Sequence, residues 1–151
     1  MLLRSLKTSA YILSAALFCQ AAQADIEIQT IAEGFDTPWS IAELPNGEGF
    51  LVTERPGGLH RVSSSGETQS ISGVPAVFAK RQGGLFDVVL HPDFETNNIL
   101  FLAYAAGSEE SNRTTVARAT LVGNALTDLK VIFEVTPNKK GGGHFGAVWR
   151  F

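Results

Sequence analysis

The 151-residue chain has one cysteine, and its acidic side chains outnumber its basic ones by 15 to 12. Each shortage excludes something. Cys19 lies within the first 24 residues, so the remaining chain has no disulfide, no Cys-ligated metal and no thiol nucleophile. A bilayer-spanning segment is missing as well. The apolar run from Ala10 to Cys19 falls well short of the ~20 residues a membrane helix needs. Arg4 and Lys7 stand ahead of it and Ala22-Gln23-Ala24 behind it, the layout of a signal peptide over residues 1–24, cleaved after Ala24. Phe18 occupies the position where a lipidation box wants a small residue, which argues against a lipoprotein.

The 127 residues from Asp25 onward carry ten basic and fifteen acidic side chains. An acidic exported chain lacks the basic face that nucleic acid requires. No membrane span remains after cleavage, and the expected location is periplasmic or secreted.

Glycine, by contrast, is abundant. All 15 glycines and all six prolines follow residue 24, giving about 12 % glycine against a usual ~7 %. Such a chain favours tight turns over long helices. Ile26 and Ile28 alternate with polar neighbours, as do Leu129, Val131, Phe133 and Val135, which predicts half-buried strands. Phe50 to Thr53, Leu85 to Leu90 and Ile99 to Tyr104 are short continuous apolar runs, as in strands covered on both faces. Turn signals such as Asn46-Gly47, Pro56-Gly57-Gly58 and Gly123-Asn124 separate them, so the fold class is antiparallel all-β.

A repeat refines the class. Ile41 to Asn46, followed by Phe50 to Thr53, returns as Val88 to Asp93, followed by Ile99 to Leu102. The offset is 47 residues between Pro45 and Pro92, with three residues inserted before the second strand. A period in the forties is the size of one four-stranded blade of a β-propeller. Propellers close with about four to eight blades, whereas 127 residues make about two blades and the start of a third. The expectation is therefore an incomplete ring over residues 25–151.

Three histidines are present. None has a His or Cys partner at metal-ligand spacing, and no Asp-rich calcium loop appears. His91, before Pro92 at a blade turn, reads as structural, and His60, beside Arg61, as a solvated face residue. His144 stands in Lys139-Lys140-Gly141-Gly142-Gly143-His144-Phe145-Gly146, where small residues let backbone approach a flat ligand closely. Gly141, Gly143 and Gly146 formally satisfy a dinucleotide fingerprint, but no strand leads clearly into it and no helix can follow. Lys80-Arg81-Gln82-Gly83-Gly84-Leu85 is a cationic turn whose Gln82 amide could donate to a ligand oxygen. Asn112-Arg113-Thr114 matches the glycosylation pattern by chance.

Four ordered motifs are similar to those of the soluble PQQ-dependent aldose sugar dehydrogenases, the glucose/sorbosone dehydrogenase family. They are Gly34 to Trp39, Leu51 to Gly57, Gln82-Gly83-Gly84-Leu85 through His91-Pro92-Asp93-Phe94, and Gly142 to Gly146. The resemblance implies a six-bladed propeller that holds pyrroloquinoline quinone (PQQ) at its central face with calcium beside it. It implies that His144 is the catalytic base and contacts the cofactor, taking the proton of an aldose's anomeric hydroxyl while hydride passes to the quinone to give a lactone. Gln82 is implied as a cofactor contact. An external acceptor would then reoxidise the cofactor.

The resemblance runs over essentially the whole chain after residue 24, with a departure near its end. The family continues His-Phe-Gly with one residue and then Arg-Leu, whereas Val148 stands at the Arg position. One codon spelling of residues 147–151, shifted by a single base, reads Arg-Leu-Ala-Phe, so a lost nucleotide near codon 147 is the expected origin of the ending. The calcium ligands and most cations facing the cofactor's three carboxylates are expected from later blades, leaving the chain alone inactive. Two other readings stay open: a non-enzymatic exported module that binds carbohydrate or protein, and a calcium-dependent propeller lactonase.

Overall fold

The computed structural model describes residues 26–146; the signal peptide expected over residues 1–24 and the departure from the family expected at residues 147–151 lie outside the described residues. Eight strands follow one another as β1 (Pro38–Leu44), β2 (Gly49–Glu54), β3 (Leu59–Val62), β4 (Thr68–Ser70), β5 (Leu85–Leu90), β6 (Ile99–Gly107), β7 (Asn112–Val122) and β8 (Ala125–Glu134). They form two four-stranded sheets, ordered β1-β2-β3-β4 and β5-β6-β7-β8. Every neighbouring pair is antiparallel. Each sheet is thus a meander in chain order, the form of a propeller blade. No described helix is long and apolar enough to cross a membrane.

The sequence repeat corresponds to the inner hairpins of the two blades. In the first, Pro45–Gly47 makes a single 3-10 turn with Asn46 left-handed at φ 57°. The second has His91 and Pro92 leading into a one-turn helix, α1 (Phe94–Asn97), which ends on Asn98 at φ 53°. The helical turn absorbs the three extra residues. Asparagine suits both ends because its short polar side chain tolerates the left-handed region.

The blades pack face to face. Leu44, Leu51 and Leu59 from the first join Leu85, Val88, Leu100, Leu102, Tyr104, Ala117, Ala119 and Leu121 of the second in one buried cluster. The members of β6 and β7 recur at every second residue, so the opposite residues Ala103, Ala105 and Val116 form a separate, small-side-chain face under Phe78 and Phe86. Thr53 adds direction to this apolar contact. Its fully buried Oγ1 donates to the Phe86 carbonyl at 2.6 Å and accepts from Ser40 N at 3.0 Å, linking β1, β2 and β5. After β4 the chain crosses to the second blade, where Ser72 N donates to Asn124 O and Leu126 N donates to Ser72 O.

Two expectations fail in informative ways. Residues 26–35 form no strand, and Ile26 and Ile28 are 88 % and 91 % exposed. Alternation makes a strand only where a ladder partner is available; this segment instead flanks an apolar groove with Ile41, Phe50, Val52 and Val62 on the first sheet. Leu129, Val131, Ile132 and Phe133 do lie on a strand, yet all remain 38–52 % exposed. Among the described residues nothing covers that part of β8.

Replacing Thr53 by valine keeps the shape and removes the hydroxyl. It should cost about 1–3 kcal/mol in urea unfolding, because the Phe86 carbonyl loses its buried donor, whereas Thr53→Ser should retain most of the stability. Tyr104 gives a second prediction. Burial first, and then the charge of Glu134, push its phenol above the usual value of 10.0. The folded state therefore favours the protonated form: the associated stability is complete below about pH 10 and lost as pH rises through the higher folded value. In a chain starting at Asp25, Tyr104 is the sole tyrosine, so ultraviolet phenolate absorbance reads it directly. The midpoint should be higher folded than in urea, and Tyr104→Phe should flatten that part of the alkaline stability loss; equal midpoints would refute it.

Candidate active site

Two loops from successive blades meet at one end of the sheets. The first, residues 80–84, leads into β5. Gly83 N closes its turn on the Lys80 carbonyl, and Arg81 is left-handed at φ 57°. Arg55, in the β2–β3 turn of the first blade, braces it: Nη1 donates to the carbonyls of Arg81 (3.1 Å) and Gly83 (3.4 Å). Gly84, at φ 149°, lies so close to the Arg55 carbonyl that any Cβ would collide with it.

The second loop, residues 139–146, follows β8. Gln82 N donates to the Gly142 carbonyl at 2.8 Å. A Cβ on Gly142 would stand 2.6 Å from the Lys80 carbonyl, so only glycine permits this backbone approach. The loops are then joined by a side chain, since His144 N donates to Gln82 Oε1 at 2.7 Å. A backbone N–H can only donate, so the carboxamide must turn its oxygen toward His144 and its NH₂ group away. His144 itself is left-handed at φ 61° and exposed. For a residue with a Cβ that conformation costs roughly 1–2 kcal/mol and must be imposed by its surroundings.

Aromatic and cationic groups surround the loops. Phe145 packs on Phe86 with ring centroids 5.7 Å apart, and Phe86 packs on Trp39 at 5.5 Å. Lys139 Nζ lies 3.5 Å from the centre of the Phe145 ring, and burial holds its ammonium below the usual lysine range. Lys80 pairs with Glu109 at 3.4 Å and Lys140 with Glu110 at 3.5 Å.

The two candidates singled out in the sequence, Gln82 and His144, are thus in direct contact across 62 positions. The other histidines are elsewhere. His91 Nδ1 accepts from Asp93 N at 3.0 Å and lies 3.0 Å from Asn97 Nδ2, which fixes the blade turn as expected. His60 corrects the expectation of a solvated residue. Its side chain is only 17 % exposed, with Nε2 3.1 Å from Glu54 Oε2 and its ring edge-on to Phe35. The strand alternation placed it outward, but the lead-in residue Phe35 covers that face. Asn112 is fully buried and internally bonded, so its triplet cannot carry a glycan.

Sequence reasoning missed Lys139, Phe145 and Asn112 as site-building residues. Lys139 and Phe145 flank the Gly-rich stretch already singled out, whereas Asn112 carried no pattern signal. A flat, anionic quinone fits along one rim here: bare glycine backbone, an outward carboxamide donor and an exposed imidazole. Calcium finds no counterpart, since among the described residues no three His, Cys, Asp or Glu side chains cluster to hold an ion.

Comparisons with known proteins identify a family for the chain. The family profile for Glucose / Sorbosone dehydrogenase matches residues 35–151. The Escherichia coli aldose sugar dehydrogenase YliI is 38 % identical over 138 residues, covering 89 % of this chain and 37 % of its own length. A Synechocystis protein is 45 % identical over 138 residues, covering 85 % of this chain and 33 % of its own. The chain therefore spans about a third of the length of these relatives. Among solved structures, the apo-form of the soluble E. coli aldose sugar dehydrogenase superposes with a TM-score of 0.74 at 35 % identity, over 78 % of this chain and 35 % of that one. The PQQ-bound aldose sugar dehydrogenase of Streptomyces coelicolor superposes at 0.60 with 27 % identity, over 73 % and 34 %. With two blades, the loop motifs and a profile match over most of its length, the chain belongs to the glucose/sorbosone dehydrogenase family.

Proposed function

We propose that this chain is the base-bearing part of an exported, PQQ-dependent aldose dehydrogenase, with turnover belonging to the complete ring. The observation that carries the reading is the 2.7 Å bond from His144 N to Gln82 Oε1, which unites two exposed polar side chains on glycine-rich loops.

The chemistry follows from the groups present. The His144 imidazole accepts the proton of the sugar's anomeric hydroxyl, which drives the C1 hydrogen off as hydride and leaves a lactone. PQQ, when bound, supplies the two-electron acceptor for that hydride. The NH₂ group of Gln82, turned away from His144, would serve as a donor to a bound cofactor and so help hold it beside the base. The left-handed backbone of His144 fixes where the imidazole starts, and a base positioned in this way contributes about 10² to 10⁴ in rate. Aldoses are the substrate class, and an external acceptor removes the electrons. Calcium beside the cofactor would take its ligands from the blades beyond these two. The signal peptide read over residues 1–24 puts the enzyme in the periplasm or outside the cell.

A chimera that continues residues 25–146 with the remaining blades of the E. coli relative tests the proposal. With PQQ, calcium and an aldose it should reduce dye, and the 151-residue chain alone should not. His144→Ala should lower kcat by about 10² to 10⁴. Undiminished turnover in that variant would remove His144 as the base. Gln82→Glu keeps an oxygen for the His144 N–H but deletes the NH₂ donor. It should raise the PQQ concentration needed for half-saturation by about tenfold or more, measured by titrating the cofactor.

A further inference from the structure

The Gly-rich loop needs something other than its own sequence to hold it, because Gly141, Gly142 and Gly143 restrain the backbone least of all residues. The neighbouring hairpin supplies that restraint. Asn112 is the first residue of β7, fully buried at the tip of the β6–β7 hairpin. Its Nδ2 donates to Ser108 O at 2.7 Å within the hairpin and to Gly141 O at 2.9 Å outside it. Oδ1 accepts from Lys139 Nζ at 2.8 Å. The two backbones also exchange a pair of bonds, Asn112 N to Lys139 O and Lys139 N to Asn112 O, both 2.9 Å. Gly141 N donates to Glu109 O on the same tip at 2.7 Å.

These bonds do more than close the hairpin. The tip is already closed by Ser108 N to Ser111 O at 2.9 Å, and the Asn112 carboxamide reaches out to a second loop. That loop is consequently held at two points. The hairpin fixes residues 139–141, Gln82 fixes residues 142 and 144, and Lys139, anchored on Asn112, lies over the ring of Phe145 immediately after His144. The left-handed turn at His144 is confined between these restraints.

We infer that Asn112 is a positioning residue for His144: through Gly141 and Lys139 it holds the Gly-rich loop in the one path that presents the His144 N–H to Gln82 and aims the imidazole. The role rests on reading His144 as the base. Its geometry, however, can be tested without turnover.

The experiment uses the full 151-residue chain, labelled with ¹⁵N, and follows the exchange rate and proton shift of the His144 amide. Asn112→Ala should speed His144 exchange by about tenfold or more and move its proton upfield, while amides of β2 and β3 keep their rates. Lys139→Met leaves Asn112 in place and removes a half-exposed amine, so the fold is retained; it should give a smaller increase of the same kind. Lys139→Arg, which keeps a donor and a cation over the Phe145 ring, should restore the wild-type rate. A His144 rate unchanged in Asn112→Ala overturns the proposal, as does a rise shared equally by every amide of β6 and β7, the mark of plain destabilisation. Should Asn112→Ala not fold, an unchanged rate in Lys139→Met overturns it alone. Because neither cofactor nor sugar enters the measurement, a failure of His144 as base in the dye assay leaves this result standing, and the reverse holds too.

Discussion

The site depends on one hydrogen bond whose direction is fixed by chemistry. A peptide N–H has nothing to offer but its proton, so the Gln82 carboxamide must meet His144 with its oxygen and point its two donors elsewhere. That bond can exist only if the two loops touch backbone to backbone, which requires Gly142 against the Lys80 carbonyl. The Gln82 turn is in turn seated by the first blade. Leu85 N donates to the Arg55 carbonyl, Gly84 packs on that same carbonyl, and two positions earlier Thr53 grips the Phe86 carbonyl. A short run of β2 and its turn therefore registers the second blade's inner strand, and with it the candidate active site. Packing between blades and placement of the two candidate side chains are one structural problem.

The blade architecture was legible because period and turn chemistry act locally. The 47-residue repeat, the Asn46 turn and the strand runs at Phe50, Leu85 and Ile99 all carried over into structure. Even the three-residue insertion has a local explanation in the single turn of α1. Ile26 and Ile28 were misread because alternation describes what a segment could bury, whereas a strand also needs an unpaired neighbour of matching length. The same limit explains β8, whose apolar residues are at the right period but have no covering surface among the described residues.

Polar residues were harder, and for a different reason. Gln82 and His144 stood out because glycines surrounded them, and glycine clusters mark close backbone approach whatever lies on the other side. Asn112 had no such flag. Its meaning comes from the carbonyls of Ser108 and Gly141, one nearby in sequence and one 29 positions away, which no pattern within the hairpin reveals. His60 failed likewise: strand position gave it a face, but not the Phe35 ring that covers that face.

Charge around the loops separates orientation from affinity. Lys139 is turned inward on Asn112 and Phe145, leaving Lys80, Arg81 and Lys140 as the outer cations. Two of these already face glutamates on the β6–β7 tip, at distances of 3.4 and 3.5 Å and with all four side chains more than 60 % exposed. Exposed pairs of this kind are worth about 0–1 kcal/mol, so an arriving carboxylate can take either lysine from its glutamate at little cost. The same weakness means that these lysines add little to the binding of such a ligand. Tight capture of a multiply charged anion needs charges that are buried or held in fixed geometry, and among the described residues the only cations near the loops with fixed partners are Arg55 and Lys139, which hold the protein's own carbonyls. In this part of the fold, cations with fixed partners build the loops, and the outer lysines are held only by weak, exposed pairs.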